Sequence, residues 1–127
     1  MAGSDSRPFF LNLIKIRLPV PGVVSIFHRI SGVFLFIAIP WFVYLLELSL
    51  KSDEGFEQVT RLLNQTFSKL LLIVILLSLI HHLFAGIRFL LTDFDIGLDK
   101  QQSKNTAWLV IILGIISFVL IMFGVCS

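Results

Sequence analysis

Three histidines, a serine and two arginines lie within or at the edge of strongly apolar runs, and their types and spacing suit redox chemistry. In SLIHHLFAGIRFLLTDFD (residues 78–95) the adjacent His81 and His82 precede Arg88. In SIFHRISG (residues 25–32) Ser25, His28, Arg29 and Gly32 are separated by three, four and seven positions, which places them on one face of a helix. A neutral imidazole is a common ligand for a metal or a haem iron. A permanently charged guanidinium and a hydroxyl donor, held where water is scarce, stabilise negative charge that develops on a substrate oxygen. Ionisable groups at membrane depth are costly and usually functional.

The elements that must position these groups follow from composition. The chain has 127 residues, 57% of them hydrophobic and only 14% charged, which indicates one membrane-embedded domain covering 1–127. A net charge of +2 is too small to suggest a nucleic-acid partner. The single cysteine, Cys126, excludes an intrachain disulfide and reads as a bland thiol. The opening MAGSDSRPFF resembles neither a secretory signal nor an organelle transit peptide, so a bacterial inner-membrane protein is expected.

Three runs are long enough to cross a bilayer, which takes about 20 apolar residues. They cover 23–46, 67–91 and 106–125 and define an all-α integral membrane protein with three transmembrane helices. The segments 51–65 and 92–105 are expected to be polar connectors, and 1–22 an extramembrane segment. The first helix should start after Pro19 and Pro21, and Pro40 should kink it. Trp41 and Tyr44 are placed to form an aromatic belt at the far surface, and Trp108 one at the start of the third span.

The distribution of Lys and Arg sets the orientation. Arg7, Lys15, Arg17, Arg29, Arg88, Lys100 and Lys104 fall on or near one side, against Lys51, Arg61 and Lys69 on the other. That bias puts the N-terminus in the cytoplasm and the C-terminus in the periplasm. With one antiparallel pair of helices, His28 and Arg88 both fall about 8 Å deep from the cytoplasmic end, and His82 about 16 Å deep. Ser25, His28, Arg29 and Arg88 are therefore expected to share a shallow cationic layer, with His82 below it.

Of the two adjacent histidines, His82 has small residues on its own helix face: Ser78, Ala85 and Gly86. Such a notch admits a flat macrocycle while the imidazole binds its iron. His81 is crowded by Val74, Leu77 and Phe84. The competing reading is that both histidines only hydrogen-bond across helices. On the expected depths His28 is too shallow to share an iron with His82 but well placed for haem propionates, so a second axial ligand must come from another chain. Arg29 can likewise serve only as an anchor that extends to the interface.

These residues carry a family resemblance. SIFHRISGV (residues 25–33) resembles the S-x-x-H-R-x-S-G motif of the cytochrome b membrane subunit of succinate dehydrogenase. HLFAGIRFLLTDF (residues 82–94) resembles that family's H-x-x-x-G-I-R-H block, and RPFFLNLIKIRLP (residues 7–19) the segment before its first helix. The resemblance implies half of a helical bundle, completed by a second small membrane-anchor subunit. It also implies a docked iron–sulfur subunit and a flavoprotein subunit. One haem b is then shared between the anchors, with His82 as an axial ligand and His28 beside a propionate. Ubiquinone is reduced near Ser25 and Arg29, close to the cytoplasmic surface. Phe89 stands where the family often has a histidine, which removes one propionate contact, and His81 lies outside the motif. The alternatives are a haem-free anchor of a fumarate reductase-like complex, or a small transporter or channel subunit. The second is disfavoured because the third span carries no ionisable residue.

Overall fold

The computed structural model describes residues 17–126, apart from the side chain of Cys126. The segment carrying Arg7 and Lys15 lies outside the described residues. Four helices account for most of the rest: α1 (Val20–Lys51), α2 (Asp53–Leu63), α3 (Thr66–Asp93) and α4 (Lys100–Cys126). No strand occurs among the described residues. α1, α3 and α4 are each long and apolar enough to cross a membrane, and they contain the three expected spans.

Helix α1 begins at Val20, earlier than expected, with Pro21 inside its first turn. A proline there loses nothing, because the first amides of a helix have no intrahelical acceptor. The Pro19 carbonyl accepts from Gly22 N at 2.9 Å and Val23 N at 3.1 Å, which starts the hydrogen-bond ladder. The helix then runs unbroken through Pro40.

The first connector is not irregular. Ser52 caps α2 by accepting from the Gly55 amide at 3.1 Å, and Asp53 and Glu54 occupy the first turn, where the helix dipole favours negative charge. Phe56, Val59, Leu62 and Leu63 form one stripe, and Val59 is buried. Gly55 sits directly on the Leu48 carbonyl of α1, so any β-carbon there would collide with backbone. That contact fixes a tight α1–α2 corner.

The second connector is shorter than expected. α3 continues to Asp93, and α4 starts six residues before the expected span, at Lys100. The chain reverses through left-handed backbone at Asp95 and Gly97 (φ 60 and 79). The Asp99 carboxylate accepts from the Gln101 amide at 3.2 Å and starts α4.

In the resulting bundle α3 packs against both α1 and α4, which also touch each other. Val24, Ala85, Ala107 and Val110 form the buried centre, with Val20, Phe84, Phe89 and Ile111 around it. Two alanines at the crossing let the backbones approach closely, the usual basis of helix association in lipid. Large apolar side chains such as Phe36, Ile37, Leu120 and Phe123 point outward.

Candidate functional site

The crossing of α1 and α3 brings together two of the three histidines in a way that sequence depth did not predict. The rings of His28 and His82 stack, with centroids 4.0 Å apart and planes 10° from parallel. The expected offset of about 8 Å is therefore wrong. Part of the reason is the helix start: from Val20, His28 lies about 12 Å in, against about 16 Å for His82 measured back from Asp93. The remaining difference is less than one helical turn. Phe89 closes the other edge of His28, at 5.1 Å and edge-on.

His82 is held through one ring nitrogen. Its Nδ1 lies 3.1 Å from the His28 carbonyl oxygen and 3.2 Å from Ser31 Oγ. A carbonyl only accepts, so Nδ1 carries the hydrogen and Nε2 carries the lone pair. No hydrogen bond to Nε2 occurs among the described residues. The Ser31 hydroxyl donates to the same His28 carbonyl at 2.7 Å. The ring rests against Gly32, where a β-carbon would stand 3.1 Å from His82 Cε1.

His28 and His82 line one end of an open groove of about 430 Å³ whose remaining walls are Leu83, Gly86, Ile87, Phe89 and Leu90. This arrangement fits a haem. The imidazole has its Nδ1–H committed to a carbonyl, as ligating histidines usually do, and Nε2 remains for iron. The adjoining surface is apolar, and Gly86 leaves room beside the rings: a β-carbon there would come 3.5 Å from His28 Nε2. His28 does not provide the opposing ligand, because face-to-face rings present their nitrogens side by side rather than across a metal.

The expected notch is only partly present. Gly86 borders the groove, but Ala85 is fully buried in the core with Val24 and Val110. Ser78 belongs to a different cavity, which it lines with Phe27, Phe34 and His81. The small residue that receives the His82 ring is Gly32, from the neighbouring helix. His81 faces the other side of α1, towards a groove between α1 and α4 lined by Val23, Phe27, Ile111 and Gly114. Its Nε2 lies 3.4 Å from the Val24 carbonyl oxygen, and Phe27 meets its ring edge-on at 6.1 Å.

Ser25 and Arg29 fall on the flank of α1 next to His28 and Gly32, within about a third of a turn. Ser25 is half-buried and Arg29 exposed. Arg88 does not join them. Only 7% exposed, it reaches across to α4, where Nε donates to Thr106 Oγ1 at 3.1 Å and Nη2 donates to Ser103 Oγ at 3.0 Å and the Ser103 carbonyl at 3.3 Å. The aromatic ring of its neighbour in sequence, Phe89, also lies under the guanidinium, 5.6 Å from ring centroid to Cζ. The side chain of Arg88 thus ties α3 to α4, and none of its hydrogen bonds goes to Ser25, His28 or Arg29. Three participants were missed from the sequence, namely Ser31, Ser103 and Thr106. For the last two a signal existed, since positions three apart at a helix start share a face.

The family model described as the succinate dehydrogenase/fumarate reductase transmembrane subunit matches residues 4–121. Among curated relatives, the chain is 36% identical over 115 residues to the succinate dehydrogenase cytochrome b556 subunit of Coxiella burnetii, covering 90% of this chain and 92% of that one. It is 33% identical over 117 residues to the cytochrome b560 subunit of Chondrus crispus, with 88% and 91% covered. It is 30% identical over 112 residues to the cytochrome b556 subunit of Rickettsia felis, with 88% and 87% covered.

Proposed function

The chain belongs to the succinate dehydrogenase/fumarate reductase transmembrane-subunit family, and on that premise we propose that it is the haem b-binding, ubiquinone-site anchor of a succinate:quinone oxidoreductase. It is a multi-pass membrane protein and a non-catalytic subunit in its own right. The observation that carries the haem reading is the His82 imidazole, fixed at Nδ1 by the His28 carbonyl at 3.1 Å and bordering an apolar groove. A second small anchor subunit would supply the facing wall and the remaining haem contacts, and the iron–sulfur and flavoprotein subunits would dock on the cytoplasmic side of the bacterial inner membrane. Bound haem b would supply a one-electron redox centre between the two anchors. In this chain His82 would hold the iron, and His28 beside it would pair with a propionate.

Ubiquinone reduction is assigned to the flank of α1 that carries Ser25 and Arg29. Two electrons and two protons convert the quinone to the quinol, and charge accumulates on a carbonyl oxygen along the way. Ser25 donates a hydrogen bond to that oxygen, and Arg29 offers a fixed positive charge and a planar set of donors. The buried position of Arg88 against α4 argues against a share in this layer.

An absorption spectrum of the purified complex, taken beside its subunit composition, tests the reading. A reduced b-type spectrum is expected in the parent and in His81→Ala, and its loss or gross perturbation in His82→Ala. An unchanged spectrum in assembled His82→Ala complex, or its loss in His81→Ala alone, overturns the assignment of the ligand.

A further inference from the structure

We propose that Ser31 and Gly32 are positioning residues for the haem ligand: Ser31 sets the electron-donating strength of the His82 imidazole, and Gly32 sets its ring plane. The inference rests on the reading of His82 as the axial ligand. Ser31 is only 4% exposed, so its hydroxyl must find partners inside the protein. Its hydrogen goes to the His28 carbonyl at 2.7 Å, which leaves its lone pairs for the His82 Nδ1–H at 3.2 Å. The same Nδ1–H reaches the His28 carbonyl at 3.1 Å. The imidazole hydrogen is therefore shared between two acceptors that are themselves linked by a hydrogen bond.

Sharing that hydrogen draws it away from the ring and enriches Nε2. Acceptors on the far side of a ligating histidine raise its basicity and fix its tautomer. A more basic ligand favours ferric over ferrous iron and so holds the haem potential down. The ring plane has a separate cause. A β-carbon at position 32 would stand 3.1 Å from Cε1 and 3.6 Å from Nδ1 of His82, so any side chain there would press the imidazole out of its present plane by a few tenths of an ångström. The hydroxyl and the missing side chain are consecutive residues of α1, and together they dock one ring of α3.

The test uses the assembled complex, with haem content, midpoint potential and the low-field electron paramagnetic resonance signal of the ferric haem as readouts. Ser31→Ala is expected to retain haem, raise its potential and move the low-field signal, and Ser31→Thr to return both close to the parent. Gly32→Ala is expected to shift the low-field signal or lower occupancy by displacing the ring. Parental potential and signal in haem-replete Ser31→Ala would overturn the role of Ser31, as would equal shifts in the alanine and threonine variants. Loss of haem from assembled Ser31→Ala complex would also overturn it, because the hydroxyl would then be needed for occupancy rather than tuning. Parental occupancy and signal in Gly32→Ala would overturn the role of Gly32. A His82→Ala complex with an unaltered spectrum would instead remove the premise, and the two failures are distinguishable.

Discussion

At the scale of single residues, the roles given to Ser25 and Arg29 separate two activities of one complex. Succinate oxidation with an artificial acceptor that takes electrons before the membrane needs only the soluble subunits. On the proposed assignment, quinone reduction needs the α1 flank as well. Ser25→Ala and Arg29→Leu should lower quinone reduction by roughly ten- to a hundredfold, the equivalent of about 1.5–3 kcal/mol for a lost hydrogen bond to developing charge. The artificial-acceptor rate should be unchanged in assembled enzyme. Equal losses in both rates, or none in either, would move the quinone elsewhere. Arg88 has the opposite profile. Its donors are taken up by Ser103 and Thr106, so Arg88→Ala should lower the midpoint of thermal disassembly, by the equivalent of about 1–3 kcal/mol, and spare quinone turnover per assembled complex. A selective loss of quinone turnover would return Arg88 to the cationic layer. The residue types were legible in the sequence because ionisable groups stand out against an apolar run. Their partners were not: which hydroxyl meets which ring depends on the register of two helices, and three residues of error at the start of α1 moved His28 by nearly a turn relative to His82.

At the scale of elements, the three spans were legible because a long apolar run has few alternatives to a membrane helix, and α1, α3 and α4 contain them. The helix α2 was not. Its 11 residues mix acidic, basic and apolar types at near-neutral hydropathy, and such a pattern reads as a connector unless its cap and stripe are weighed. Ser52, Asp53 and Glu54 followed by Phe56, Val59, Leu62 and Leu63 do form a capped amphipathic helix in retrospect. The corner it makes with α1 depends on Gly55. Gly55→Ala should force α2 away from the Leu48 carbonyl, at a cost of about 1–3 kcal/mol, read as a lower yield or midpoint of the assembled complex. Ser52→Ala should cost about 1 kcal/mol through loss of the cap. A Gly55→Ala complex as stable as the parent would show that the corner has slack. On α3, Gly86→Leu would place a branched side chain beside the His28 and His82 rings, with loss of haem or of assembly expected. Normal haem content in that variant would mean that the macrocycle lies along another face.

At the scale of the whole molecule, connectivity and charge make a testable map. With the N-terminus cytoplasmic, α2 lies on the periplasmic side and the Asp95–Gly97 reversal on the cytoplasmic side. After Cys126→Ser, a single cysteine at Glu57 should react with an impermeant thiol reagent added to intact cells, and one at Gln101 only after the membrane is opened. The reverse pattern would invert the chain. The bundle also divides unevenly around its groove: every lining residue comes from α1 or α3, and none from α4. The contact between the His28 carbonyl and His82 spans 54 positions, all of them translated before Lys100. The imidazole can thus be oriented while the last helix is still inside the ribosome, and the nascent chain can offer a finished half-site to whichever partner reaches the membrane first. Chains truncated after Asp99 and released into membranes should already form cross-links between α1 and α3 at the His28 level. Cross-links that appear only once α4 has been made would place ligand orientation after chain release.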